Sequence, residues 1–196
     1  MGNPYFHEAT WATFVHLGAT YSLAHLNEYT FSVVDTDGKE RKIVVNFSDH
    51  CFTRDVKSTD HPQLFYPRST RKPVGVFCFE RYEYSLGLIG HIAHASTGKV
   101  WNAGADVFAI VPLISRTGKE MLYAIVFSLE RVKGLPVDLR MRIKTAYPCD
   151  EKPIETFGEV RFRHLVALRM RGKSPGRITG RHRKKPHVPS EGPEKK

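Results

Sequence analysis

Two neighbouring runs constrain the fold more than anything else in this chain. ADVFAIVPLIS, residues 105–115, and EMLYAIVFSLERV, residues 120–132, are apolar at nearly every position. The four residues between them, Arg116-Thr117-Gly118-Lys119, are turn-forming. Such a pair reads as a β-hairpin whose strands lie centrally, with both sheet faces covered. Pro112 removes one ladder donor, so a bulge or a local sheet edge is expected there.

A second hairpin precedes it. YTFSVVD and RKIVVNFS are β-rich runs joined through Asp37-Gly38, residue types that accept the positive φ of a two-residue turn. In the second run Ile43, Val45 and Phe47 point one way, and Asn46, Ser48 and His50 the other. Residues 54–73 carry Pro62, Pro67 and Pro73 and read as loop, and VGVFCF, residues 74–79, as a short strand. ERYEYSLGLIGHIAHAS has helical spacing, with Tyr82, Leu86, Ile89 and Ala93 on one side. Glu83, Gly87, His91 and His94 fall on the other, and Gly98 suits a helix stop. LRMRIKTAYP then alternates. Leu139, Met141, Ile143, Thr145 and Tyr147 share one face, and Arg140, Arg142 and Lys144 the opposite one. FGEVRFRHLVALRMRG reads as a short basic helix. Two hairpins, a closing strand and one or two helices predict an α+β fold with a mainly antiparallel sheet, as a single domain over residues 1–171.

The 196 residues carry a net charge of +10, unevenly spread. From Arg171 to Lys196 there are nine Lys or Arg and two Glu, a net of +7 that leaves +3 for the rest. Residues 172–196 are rich in Pro, Gly and basic side chains and poor in core formers, which predicts a disordered basic tail. A flexible polycation contacts phosphates without sequence preference. Arg181, Arg183, Lys184 and Lys185 of the tail, with Arg140, Arg142 and Lys144 of the strand, are therefore the expected nucleic-acid contacts, RNA being the expected polymer. Hydrophobic residues make up 41%, enough for a packed core. No apolar stretch has the roughly 18 residues needed to cross a bilayer, so no membrane partner is expected. The N-terminus lacks the pattern of a secretory signal, and Phe6 breaks the myristoylation pattern. Three cysteines, Cys51, Cys78 and Cys149, fit a reducing cytoplasm better than a disulfide scaffold.

No Walker loop, GxGxxG, HExxH or GxSxG motif is present, so nucleotide-dependent enzymes, zincins and serine hydrolases lack support, and no cofactor is expected. His91 and His94 have a spacing that can bring two imidazoles to one metal. No third ligand accompanies them, and no metal site is expected. The segment from Asn46 to Arg54 ends a strand and gathers Ser, Asp, His, Cys, Thr and Arg. His50 near Arg54 is a minimal kit for cleaving a phosphodiester by attack of an RNA 2′-hydroxyl. The imidazole moves the proton, and the guanidinium stabilises charge on phosphorus. Cys51 is an alternative nucleophile, though a buried thiol acting as a small hydrophobe is the commoner case. Thr145 and Tyr147, two apart on a strand, offer two hydroxyls to one phosphate.

The run Ile143-Lys144-Thr145-Ala146-Tyr147-Pro148 resembles the late strand of the metal-independent endoribonucleases that include EndoU-like, RelE-like and several colicin and phage nuclease domains. In that group a Ser or Thr is followed two residues on by Tyr. The resemblance covers at most residues 40–150. It implies an RNA-cleaving enzyme of toxin or mobile-element type, in which Thr145 and Tyr147 are site residues. His50, Arg54, His91 and His94 stand as candidates for the basic roles, and the sequence identifies no protein partner, a neutralising antitoxin included. The EndoU-type arrangement also has a Lys, whereas the alternation sets Lys144 opposite Thr145. The competing readings are a non-enzymatic nucleic-acid-binding protein and a structural module.

Overall fold

The computed structural model describes residues 11–67, 74–103, 106–114, 118, 120–149 and 158–175. Along the chain the strands are β1 (Phe14–His16), β2 (Ala19–Tyr21), β3 (Tyr29–Val34), β4 (Glu40–Phe47), β5 (Thr53–Arg54), β6 (Phe65–Pro67) and β7 (Val74–Phe77). Helices α1 (Phe79–Ser85) and α2 (Leu88–Thr97) follow, then β8 (Lys99–Ala103), β9 (Asp106–Ile114), β10 (Glu120–Arg131), β11 (Leu139–Cys149), β12 (Glu159–Arg161) and α3 (Phe162–Met170). The fold is α+β. Its main sheet runs β12-β8-β9-β10-β11-β4-β3, and a smaller sheet runs β5-β7-β6.

Both expected hairpins form. β3 and β4 pair antiparallel, and Gly38 takes φ 73° in their turn. β9 and β10 pair antiparallel from Glu120↔Ile114 to Phe127↔Val107, with β10 near the middle of the sheet. Pro112 lies in regular register opposite Leu122, but the β8 ladder stops at Phe108. Among the described residues Pro112 therefore sits where β9 has no second neighbour, the local edge that a residue without an N–H needs.

The closing strand differs from expectation in two ways. β11 pairs antiparallel with β10 but parallel with β4, from Leu139↔Ile43 to Ile143↔Phe47. It also carries a bulge. Val126 faces Thr145 while its neighbour Phe127 faces Ile143, so β11 holds one extra residue, Lys144. An extra residue reverses the phase of the side chains beyond it. Ala146 thus continues the buried row of Leu139, Met141 and Ile143. Thr145 and Tyr147, expected on that row, move to the side of Arg140 and Arg142 instead.

One face of the sheet is covered by α2 and α3. Leu88 and Ile92 of α2, and Phe162, Leu165 and Val166 of α3, are buried in one core with Ile43, Val45, Phe127 and Met141. The other face is open over its outer strands, where Thr30, Ser32, Lys42 and Arg142 are exposed. The small sheet carries an aromatic cluster in which Phe14 stacks on Phe77 with centroids 4.0 Å apart. Residues 65–67, within the segment expected to be loop, form its third strand.

The expected middle helix is two helices, broken at Leu86-Gly87. The ring of His91 folds back over Gly87, with Nε2 only 3.0 Å from where a Cβ would stand, a packing that suits glycine. The break turns α2 onto a different face. Leu88, Ile92 and Ala95 go into the core, whereas Leu86 and Ile89, expected inside, are 54% and 40% exposed. At the far end, residues 172–175 of the expected tail cap α3. Gly172 adopts φ 70°, Lys173 N donates to Leu168 O at 2.9 Å, and Pro175 O accepts from Asn102 Nδ2 at 3.3 Å. The remainder of the tail, with Arg181, Arg183, Lys184 and Lys185, lies outside the described residues.

Candidate active site

β4 ends at Phe47, and β11 runs on past Ile143 without it. The edge so exposed is taken over by a short 310 turn, Asp49–Cys51, and by α1. Ser48 makes the join. Its N–H donates to Ile143 O at 3.0 Å, and its hydroxyl donates to Lys144 O, on the bulge, at 2.8 Å. The same hydroxyl accepts from His50 N at 3.1 Å and so caps the 310 turn. Thr145 Oγ1 reaches His50 O at 3.5 Å. The bulge and the turn together bring His50 to the strand that carries Thr145 and Tyr147, although 95 residues separate His50 from Thr145 in the chain.

A fourth member, Arg81 of α1, is absent from the sequence reading. Its Nη1 donates to His50 O and to Thr53 O, each at 2.9 Å. Its guanidinium carbon lies 5.6 Å from the centre of the Tyr147 ring, a cation–π distance. Nothing in the local pattern ERYEY marks Arg81. Its role depends on the crossover that lays α1 against β11. The Tyr147 hydroxyl is harder to ionise than usual, because burial and Cys149 raise its pKa more than Arg81 lowers it. It therefore stays a neutral hydrogen-bond donor at ordinary pH.

Arg54 is oriented elsewhere. It sits on β5 with its guanidinium hydrogen-bonded to both carboxylate oxygens of Asp60, Nη1 to Oδ2 at 2.7 Å. That bond raises the Arg54 pKa, and together with the Lys57 amide it holds Asp60 down to about 2. The arginine beside Tyr147 is Arg81. Cys51 is wholly buried, and burial pushes its thiol up to about 12, which favours the packing role over the nucleophilic one.

His91 and His94 stand apart from this cluster. His91 is half-buried, 5.5 Å from the Tyr123 ring, and its pKa is lowered by burial and by His94. Among the described residues no three His, Cys, Asp or Glu side chains gather to hold a metal ion. Of the strand cations, Arg142 is exposed beside Ser128 and Asn46, and Arg140 lies opposite Glu130. Lys144 is the bulged residue itself. Among the described residues no helix is long and apolar enough to cross a membrane.

Comparison with known proteins gives one relation. The model of the YjaZ family matches residues 13–170, a span that takes in every described strand, helices α1 to α3 and the site. No curated protein and no solved structure matches the chain significantly.

Proposed function

The chain belongs to the YjaZ family, and we propose that it is a metal-independent endoribonuclease acting through the cluster where β11 runs on past the end of β4. The supporting observation is the meeting of three distant segments, in which the His50 backbone carbonyl accepts from Arg81 and from Thr145 while the Arg81 guanidinium lies against the Tyr147 ring. In this reading the 2′-hydroxyl of the substrate attacks the adjacent phosphorus, and the bond to the 5′ oxygen breaks, leaving a 2′,3′-cyclic phosphate. His50 takes the proton from the nucleophile or gives one to the leaving oxygen, a role for which imidazole is suited near neutrality. Arg81 takes the place assigned to Arg54 in the sequence reading and stabilises the charge that grows on the phosphoryl oxygens. The Thr145 and Tyr147 hydroxyls orient the phosphate. A toxin or mobile-element setting is the part of this proposal carried over from the resemblance of the Ile143–Pro148 run.

The test uses purified protein, labelled RNA and excess EDTA, beside the same RNA carrying 2′-O-methyl groups. The expected result is cleavage of the first RNA alone, with cyclic-phosphate ends. His50→Ala should lose about 100- to 10,000-fold in rate, the usual contribution of a general acid–base group. Tyr147→Phe keeps the ring against Arg81 and should lose activity without losing stability. Cleavage of both RNAs, or an absolute need for magnesium, refutes the mechanism. Salt-sensitive binding with no cleavage would transfer the site to the non-enzymatic nucleic-acid-binding reading.

A further inference from the structure

The bulge at Lys144 has a consequence for what the site can hold. Read along the regular partner strand β10, the residues facing Arg142, Thr145 and Tyr147 are Ser128, Val126 and Ala124. These are alternate residues of one strand, so they lie on one face at intervals of roughly 7 Å, twice the rise per residue. Without the extra residue Arg142 would stand on the opposite face from both hydroxyls. With it, a cation lies one interval from the Thr145 hydroxyl, a step comparable to that between successive phosphates of an extended nucleic-acid strand.

The neighbouring charges decide how far the row extends. Arg140, one interval further, faces Glu130 across the antiparallel pair, so a carboxylate offsets its charge. Arg142 faces Ser128, which is neutral, and its β4 neighbour Asn46 is hydrogen-bonded to Glu28. Arg142 is exposed and forms no ion pair among the described residues. We infer that Arg142 is a second phosphate subsite adjoining Thr145 and Tyr147, so that the ligand is a single RNA strand lying along β11 with two neighbouring phosphates held. This rests on the endoribonuclease reading for its polymer, but its test is made by binding and does not require cleavage.

The experiment measures fluorescence anisotropy of a labelled 2′-O-methyl hexanucleotide with wild type, Arg142→Gln and Arg140→Gln over a range of salt. Contributions from elsewhere in the chain are common to all three proteins and cancel in the comparison. Each phosphate neutralised on a single strand adds about 0.7 to the slope of log affinity against log salt. Arg142→Gln should lower the slope by that amount, and Arg140→Gln should leave it unchanged. Competition by a 2′-O-methyl dinucleotide, which has one internucleotide phosphate, should be alike in wild type and Arg142→Gln. Competition by the trinucleotide should be weaker against Arg142→Gln. A slope change with no cleavage of any RNA keeps the subsite and removes the endoribonuclease reading. Equal slopes for wild type and Arg142→Gln, binding of a matched duplex as tight as that of the single strand, or no RNA binding at all would overturn the inference. Both replaced side chains lie on the sheet surface, and matching urea midpoints confirm that the variants are folded.

Discussion

Arg81→Met keeps the length of the side chain and removes its charge and every donor, so it separates the proposed tasks of this residue. The side chain bonds two backbone carbonyls, those of His50 and Thr53, from opposite ends of the segment that carries the 310 turn. A hydrogen bond from a charged donor contributes about 1.5–3 kcal/mol net. His50 O keeps a long contact from Thr145 Oγ1 at 3.5 Å, so the larger loss falls at Thr53 O. Arg81 is half-buried, which brings the sum towards the low end, and the contact with Tyr147 adds about 0.5–1 kcal/mol. The expected loss is about 2–4 kcal/mol in urea unfolding at unchanged m. For a chain of this size each kcal/mol shifts Tm by roughly 2–4 °C. Arg81→Lys keeps the charge but not the fork and should lose about half as much. Well below either midpoint, where both variants are folded, Arg81→Met should cleave RNA about 100- to 1,000-fold more slowly, the size found when one transition-state donor is removed. A stability loss under about 0.5 kcal/mol, with amide exchange unchanged at His50 and Thr53, would refute the account of Arg81 as the clamp of this segment.

Two further perturbations follow from groups outside that clamp. Tyr123 is fully buried and its hydroxyl has no hydrogen-bond partner among the described residues. An unsatisfied buried donor costs about 1–3 kcal/mol, so Tyr123→Phe should raise the urea midpoint, and a fall of 1 kcal/mol or more would show that the hydroxyl is partnered. Asp60 has its pKa depressed to about 2 by the Arg54 hydrogen bond, against an ordinary value near 3.9. The stabilisation it provides is full above about pH 4 and fades as pH falls through 2. Comparing wild type and Asp60→Asn by urea midpoint from pH 6 to pH 2, the difference should shrink steadily on the acid side. A constant difference over that range would remove the ion pair as its source.

The elements that were legible in the sequence are those fixed by local chemistry. The β9–β10 hairpin announces itself by two apolar runs around a short turn, and the β3–β4 hairpin by Asp37-Gly38. His50, Thr145 and Tyr147 were also visible, because polar and hydroxyl side chains at strand ends stand out against apolar runs. What was hidden depends on pairing between distant segments. Parallel pairing of β11 with β4 leaves no mark in either strand, since Leu139, Met141 and Ile143 alternate equally well against a parallel or an antiparallel neighbour. Arg81 matters only because the crossover lays α1 on β11, and no residue near it anticipates that contact.

The bulge in β11 has no local sequence mark. The alternation from Leu139 to Tyr147 is regular in sequence, and a single period assigns both hydroxyls to the apolar face. Lys144 is neither Gly nor Pro, so nothing local flags an extra residue. The cause lies where β4 ends. Beyond Phe47 the chain turns at Ser48, whose N–H and hydroxyl bond the successive carbonyls of Ile143 and Lys144. Regular strand geometry sends successive carbonyls to opposite sides, so one neighbour can take both only where the strand is distorted. The distortion that Ser48 accommodates is also what brings Thr145, Tyr147 and Arg142 onto one face. Burial physics would have sealed the hydroxyls into the core with Ile143. The extra residue turns them to the opposite face, beside the His50 backbone carbonyl and the Arg81 guanidinium that sequence distance had kept apart.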